Sequence, residues 1–189
     1  MTRLVLASAS PRRRQLLEML GIQVEVRPSA VPEVHRPGEA ARDYALRLAH
    51  DKARAVPGHL VLAADTTVVL DGELLEKPVD EEDAVRMLLR LQGRTHDVVT
   101  AVALRAGDTV FEAVDVTAVT FRPAREGMLR AYVRTGEPMD KAGSYGIQGY
   151  GAALVERIEG DFFGVMGLPI RLVLDLLAEA GFPYEFPRR

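Results

Sequence analysis

Arg3-Leu4-Val5-Leu6-Ala7-Ser8-Ala9-Ser10-Pro11-Arg12-Arg13-Arg14-Gln15-Leu16-Leu17-Glu18-Met19-Leu20-Gly21 changes its periodicity half-way along. Arg3 to Ala7 is a short continuous apolar run, the pattern of a buried strand. Ser10-Pro11 then offers an N-cap followed by a proline at the first helical position, where its missing N–H costs nothing. Leu16, Leu17, Met19 and Leu20 supply an apolar face, and Gly21 closes the helix. Ile22, Val24 and Val26 alternate with polar residues, as a half-buried strand should. Strand, helix, strand in this order argues for an α/β fold.

The remainder extends that pattern. Residues 38–56 place Ala41, Tyr44, Ala45, Leu48, Ala49 and Val56 on one helical side. Leu60 to Ala64 reads as a buried strand ending at Asp65, and Val68 to Leu75 as a hairpin turning at Asp71-Gly72. Asp80 to Leu91 is a helix with Asp80 as N-cap, Asp83 three residues on and Gly93 beyond its end. Two long strands, 96–105 and 109–122, flank Gly107-Asp108. A short helix over 125–134, a glycine-rich loop over 135–151, a strand over 152–158 and a helix over 169–180 complete the chain. The expected fold is α/β with a mixed twisted sheet and flanking helices, in a single domain over residues 1–189.

Composition narrows the class. The 189 residues are 48% hydrophobic, enough for a substantial core. No apolar run approaches the ~20 residues of a membrane span, and the opening residues are too briefly apolar for a signal peptide. The expectation is therefore a cytoplasmic protein without a membrane partner. With no cysteine, disulfides, zinc-thiolate sites and thiol nucleophiles are excluded. A net charge of −3 argues against a stable nucleic-acid partner. Of the 24 basic residues only Lys52, Lys77 and Lys141 are lysine, so each marks a place where a compact ammonium rather than a flat guanidinium could be needed.

Three stretches carry chemistry. Ser8, Ser10, Arg12 and Arg13 surround a helix N-terminus, whose free N–H groups attract anions. On local features this is either a phosphate cradle or a capped helix with solvated arginines. Asp65-Thr66 follows an apolar strand, where α/β sheets place ligands. Asp65 either holds a divalent ion or orients water, or else starts an Asx-turn. Glu33 offers a second carboxylate, and Lys52 and Lys77 offer cations for phosphate oxygens. The stretch from Gly136 to Gly149 is rich in glycine, and the Gln148 amide can pair with a base edge; by itself the stretch reads as a structural loop. His96 either meets phosphate or packs.

Leu6-Ala7-Ser8-Ala9-Ser10-Pro11-Arg12-Arg13, Ala64-Asp65-Thr66, Lys77-Pro78, Gly93-Arg94-Thr95-His96 and Glu137-Pro138-Met139-Asp140-Lys141-Ala142-Gly143-Ser144-Tyr145-Gly146-Ile147-Gln148-Gly149 occur in this order. Together they resemble the Maf family of septum-formation inhibitor proteins. The resemblance implies two lobes around a cleft, similar to the inosine-triphosphate pyrophosphatases, and a homodimer. It implies hydrolysis of a nucleoside triphosphate between the α- and β-phosphates, dependent on Mg²⁺ or Mn²⁺. Asp65 would then be the general base, Glu33 would help it hold the ion, and Ser8, Arg13, Lys52 and Lys77 would engage the triphosphate. Arg12, Thr66 and Gln148 resemble the dTTP/UTP branch rather than the 7-methyl-GTP branch. The alternatives are a pyrophosphatase for 7-methyl-GTP and a non-catalytic, nucleotide-binding regulator of septum formation.

Overall fold

The computed structural model describes residues 3–187. Along the chain run β1 (Leu4–Leu6), α1 (Pro11–Met19), β2 (Val24–Val26), α2 (Ala41–Ala55), β3 (Leu60–Leu70), β4 (Glu73–Leu75) and α3 (Glu81–Leu91). They are followed by β5 (Thr95–Ala106), β6 (Thr109–Phe121), α4 (Glu126–Val133), β7 (Val155–Glu159), α5 (Phe162–Val165) and α6 (Ile170–Glu179). The seven strands form one sheet in the order β2-β1-β3-β5-β6-β7, with β4 beside β3. Parallel and antiparallel pairs both occur, so the sheet is mixed, as the sequence pattern requires. Among the described residues, no helix is long and apolar enough to cross a membrane.

Two compact units share the chain. The first takes the residues up to Asp65, Thr100–Asp115 and those from Gly167 onward; the second takes Thr66–Val99 and Val116–Met166.

In the first unit β1 lies parallel to both β2 and β3, with Leu4 opposite Val24 and Leu60. Strands flanked on both faces read as continuous apolar runs, which Leu4-Val5-Leu6 and Leu60 to Ala64 do. Leu6, Leu17, Leu48 and Leu62 are fully buried there, each contributing roughly 2–3 kcal/mol through removal of apolar surface from water. The C-terminal end of α2 is tied down by Arg105. Its guanidinium donates to the carbonyl oxygens of Ala53 (3.0 Å), Val56 (2.9 Å), Gly58 (2.9 Å) and Gly107 (3.0 Å). Four acceptors reached from Nε, Nη1 and Nη2 suit the guanidinium fork and not an ammonium.

In the second unit Asp71 and Gly72 both have positive φ, 53° and 81°, as the two-residue hairpin turn demands. The side chain of Asp80 caps α3 by accepting from Asp83 N at 2.7 Å. Asp83 returns the favour to Val79 N at 3.0 Å, a reciprocal cap shifted one residue outward. Leu88, Leu91, Phe121, Leu129 and Leu154 form the heart of this unit's core.

Three expectations need correction. First, β3 does not end at Asp65 but runs through it to Leu70. Polar Asp65-Thr66-Thr67 breaks the apolar pattern, yet both threonines are β-branched and Asp65 is neutralised by a lysine, so nothing forces a turn. Second, Ser10 occupies the N-cap of α1 without a side-chain capping bond; instead its N–H is bonded by Ser8 Oγ at 3.2 Å. Third, the glycine-rich stretch is not featureless. It contains 3-10 turns at Glu137–Asp140, Ala142–Ser144 and Gly149–Leu154, the last taking over the first residues of the strand expected from 152. Helix α5, capped by Asp161 through Gly164 N at 3.0 Å, is too short to show periodicity in sequence.

Candidate active site

β3 and α2 bring together two residues thirteen positions apart. Asp65 lies on the buried face of β3, 6% exposed, and Lys52 on the buried side of α2, 5% exposed. Lys52 Nζ donates to Asp65 Oδ1 at 2.6 Å and to Glu33 Oε1 at 2.5 Å. One ammonium therefore gathers two carboxylates, one buried and one 43% exposed at its side chain. A buried carboxylate without such a partner would be protonated or strongly destabilising. Lysine at 52 is thus explained by its site, in a chain that uses arginine nearly everywhere else.

Arg13 reaches the same place from the first turn of α1. Its Nη1 donates to Ala64 O at 2.8 Å, the carbonyl just before Asp65, and to Ser8 Oγ at 3.1 Å. Its Nε donates to Gly167 O at 2.8 Å. Burial pulls the Arg13 guanidinium below its usual value, the charge of Asp65 pushes it back up, and Arg12 lowers it again. Arginine nevertheless stays protonated in proteins, so Arg13 is a fixed cation beside Asp65. Ser8 is itself buried, with its Oγ accepting from Arg13 Nη1 and Ser10 N.

Glu33 sits in the loop before α2, and that loop is held by a fork the sequence reading did not anticipate. Arg47, on α2, donates Nε to Glu39 Oε1 at 2.6 Å and Nη2 to Glu39 Oε2 at 2.7 Å. The same Nη2 reaches Val34 O at 3.1 Å, next to Glu33. The Arg47 hydrogen bonds bring the Glu39 carboxyl down to about 2. Spacing of eight residues across a loop has no periodic signature, so no sequence signal marks this pair.

Ser8, Arg13, Glu33, Lys52 and Asp65 thus converge within the first unit, with Arg12 half-buried on α1. Thr66, Lys77 and Gln148 belong to the second unit. Thr66 follows Asp65 on β3 and points to the opposite face by strand alternation. Lys77 is exposed just after β4, before a buried Pro78. Gln148 is exposed in extended backbone ahead of the last 3-10 turn. His96 resolves toward packing: it is buried edge-on against Phe121 (5.0 Å) and Tyr145 (5.3 Å), and Nε2 is 2.8 Å from the Tyr145 hydroxyl.

The donor set also bears on a metal. Among the described residues no group of three or more acidic or histidine side chains is arranged as a metal cage. Two hard carboxylates do converge, Glu33 and Asp65, beside fixed cations. That composition fits Mg²⁺ or Mn²⁺, which bind through one or two carboxylates completed by water and substrate phosphates.

The family model of the Maf-like proteins matches residues 3–180. The chain belongs to the Maf family. Among curated Maf-family relatives, a protein of Anaeromyxobacter dehalogenans called dTTP/UTP pyrophosphatase is 52% identical over 98% of each chain. One of Anaeromyxobacter sp., of the same name, is 54% identical over 96% of this chain and 91% of its own. The dTTP/UTP pyrophosphatase of Symbiobacterium thermophilum is 48% identical over 97% and 96%. Among solved structures, a HAM1 protein from Coxiella burnetii aligns with 64% of this chain and 73% of its own, at 17% identity and a TM-score of 0.45.

Proposed function

We propose that this Maf-family chain hydrolyses dTTP and UTP to the nucleoside monophosphate and pyrophosphate. The observation that carries the reading is the Glu33–Lys52–Asp65 cluster with Arg13 against it: a buried carboxylate hydrogen-bonded to an ammonium, with a guanidinium beside it. The names of the relatives support the substrates, together with the resemblance of Arg12, Thr66 and Gln148 to the dTTP/UTP branch.

In the proposed reaction a water oxygen bonds to the α-phosphorus while its proton passes to Asp65. The bond from that phosphorus to the bridging oxygen breaks, and the electron pair leaves with pyrophosphate. Asp65 needs a proton-accepting lone pair, and Lys52 engages Oδ1 by a direct bond. Arg13 and Ser8 form a prepositioned positive and polar wall, so little reorganisation accompanies charge development. Lys77 is assigned to the pyrophosphate oxygens on its motif alone. A divalent ion, Mg²⁺ or Mn²⁺, held by Glu33 and Asp65 would supply neutralisation of phosphate charge. The resemblance further supports a cytoplasmic homodimer, which sedimentation of the purified chain and cell fractionation check.

The test is a panel of dTTP, UTP, CTP, GTP and 7-methyl-GTP with Mg²⁺ or Mn²⁺, with products separated by chromatography. Release of dTMP and UMP with pyrophosphate is expected. Preference for 7-methyl-GTP would sink the branch assignment, and hydrolysis of no nucleotide would leave a binding regulator.

A further inference from the structure

The Gly146–Gly151 segment, which carries Gln148, is built around a single carboxylate. Glu137 Oε1 accepts from the Tyr132 hydroxyl and from Gly151 N, both at 2.9 Å, and Oε2 accepts from Tyr150 N at 2.8 Å. The Tyr132 oxygen in turn accepts from Gly146 N at 3.0 Å. Lys141 Nζ donates to the backbone oxygen of Glu137 and, at 2.6 Å, to Asp140 Oδ1. Both ends of the segment are therefore fixed to one side chain and its immediate partner.

The glycines of this segment record the same arrangement. Gly149 has φ +70°, and a Cβ there would run into Glu137 Oε2. A Cβ on Gly146 would lie 3.0 Å from Lys141 Cε and 3.3 Å from Glu137 Oε1. On Gly151 it would collide with Gly146 O and come within 2.7 Å of the Tyr132 oxygen. Side chains are absent where the carboxylate and its partners occupy the space. Ile147 is anchored in the core, 7% exposed, while the next residue, Gln148, is exposed. Burial pushes the Glu137 carboxyl up, but donation from Gly151, Tyr150 and Tyr132 brings it below the ordinary value, so it stays an acceptor at neutral pH.

We infer that Glu137 is a positioning residue for substrate selection: it acts through the backbone of residues 146–151 to present the Gln148 amide in one orientation to a pyrimidine base. This rests on the reading of Gln148 as the base-contacting group. A free glutamine side chain on a loose loop would lose rotamer and backbone entropy on each binding event; a loop held at both ends loses less. Glutamine at 137 presents an amide NH₂ to one set of these donors, so it keeps the volume but removes the double-acceptor pattern.

The experiment measures kcat and KM for dTTP, UTP and CTP with the wild type, Glu137→Gln, Tyr132→Phe, Gln148→Ala and the Glu137→Gln/Gln148→Ala double variant. Glu137→Gln is expected to lower the dTTP-to-CTP ratio of kcat/KM about tenfold, mainly through KM, with kcat changed by less than about threefold. Gln148→Ala should lower the ratio comparably, and the double variant no further, since both act on one contact. Tyr132→Phe should shift the ratio the same way by a smaller factor. An unchanged ratio in Glu137→Gln, or losses that multiply in the double variant, would overturn the inference while leaving the enzyme assignment standing. If Glu137→Gln lacks a cooperative melt, Tyr132→Phe decides, and a wild-type ratio there overturns it. A wild type with no preference for dTTP over CTP, or a Gln148→Ala variant that keeps the preference, would instead remove the reading of Gln148 and the inference with it.

Discussion

Lys52 Nζ lies 2.6 Å from Asp65 Oδ1, with both side chains withdrawn from water. Such a pair is weak evidence for stability as a unit, because desolvation of two charges offsets most of their attraction. Its meaning is chemical: it holds a carboxylate against an ammonium on the buried face of a strand.

Removing one partner exposes that dependence. Lys52→Met is expected to destabilise the protein by about 3–5 kcal/mol, because buried Asp65 loses the cation hydrogen-bonded to it. Asp65→Asn added to Lys52→Met should recover part of that loss. Urea denaturation of the two variants measures both, and an additive double variant would show that the residues are not energetically coupled.

Asp65→Asn by itself should reduce kcat about 10²–10⁴-fold, the usual worth of a general base. Circular dichroism should remain that of the wild type, since an amide of the same shape can still accept from Lys52. Steady-state kinetics check this, and near-wild-type turnover would remove the proton-accepting role.

His96 gives the fold an acid limit. Burial holds its imidazole down to about 4 against an ordinary 6.5. The unfolded chain therefore binds a proton that the folded chain refuses between those values. The resulting contribution is fully present above pH 6.5 and declines as pH falls toward 4, about 3 kcal/mol in all. In His96→Gln that component of the stability–pH curve should vanish. Denaturation midpoints from pH 7.5 to pH 4 compare the slopes; parallel curves would contradict the account.

Gly143 tests the packing of the second unit. It has φ +68°, and a Cβ would approach both γ-methyls of Val68 at 2.9 Å. Gly143→Ala should cost about 2–3 kcal/mol from left-handed backbone and overpacking together. Adding Val68→Ala should restore part of it, as thermal melts of the single and double variants would reveal.

Much of this was legible in the residues. Proline at the first turn of α1, Asp71-Gly72 and the Asp80 cap each encode local geometry through one or two neighbours, and each appears where the pattern puts it. Asp65 misled because a polar triplet resembles a strand end; only Lys52, supplied by a distant helix, makes a buried aspartate tolerable within β3. The lysine count flagged position 52 without naming its partners. Arg105, the Arg47–Glu39 fork and the Glu137 carboxylate were invisible for a common reason. Each binds backbone atoms of loops, and backbone acceptors and donors leave no signature in residue identity. The glycines of the 146–151 segment were a partial signal, since they mark close approach without saying what approaches.

The most direct test is hydrolysis of dTTP in water enriched in oxygen-18, with the products resolved by mass spectrometry. Attack at the α-phosphorus predicts one heavy oxygen in dTMP and none in pyrophosphate. Label in pyrophosphate, or release of dTDP with labelled orthophosphate, would contradict the account.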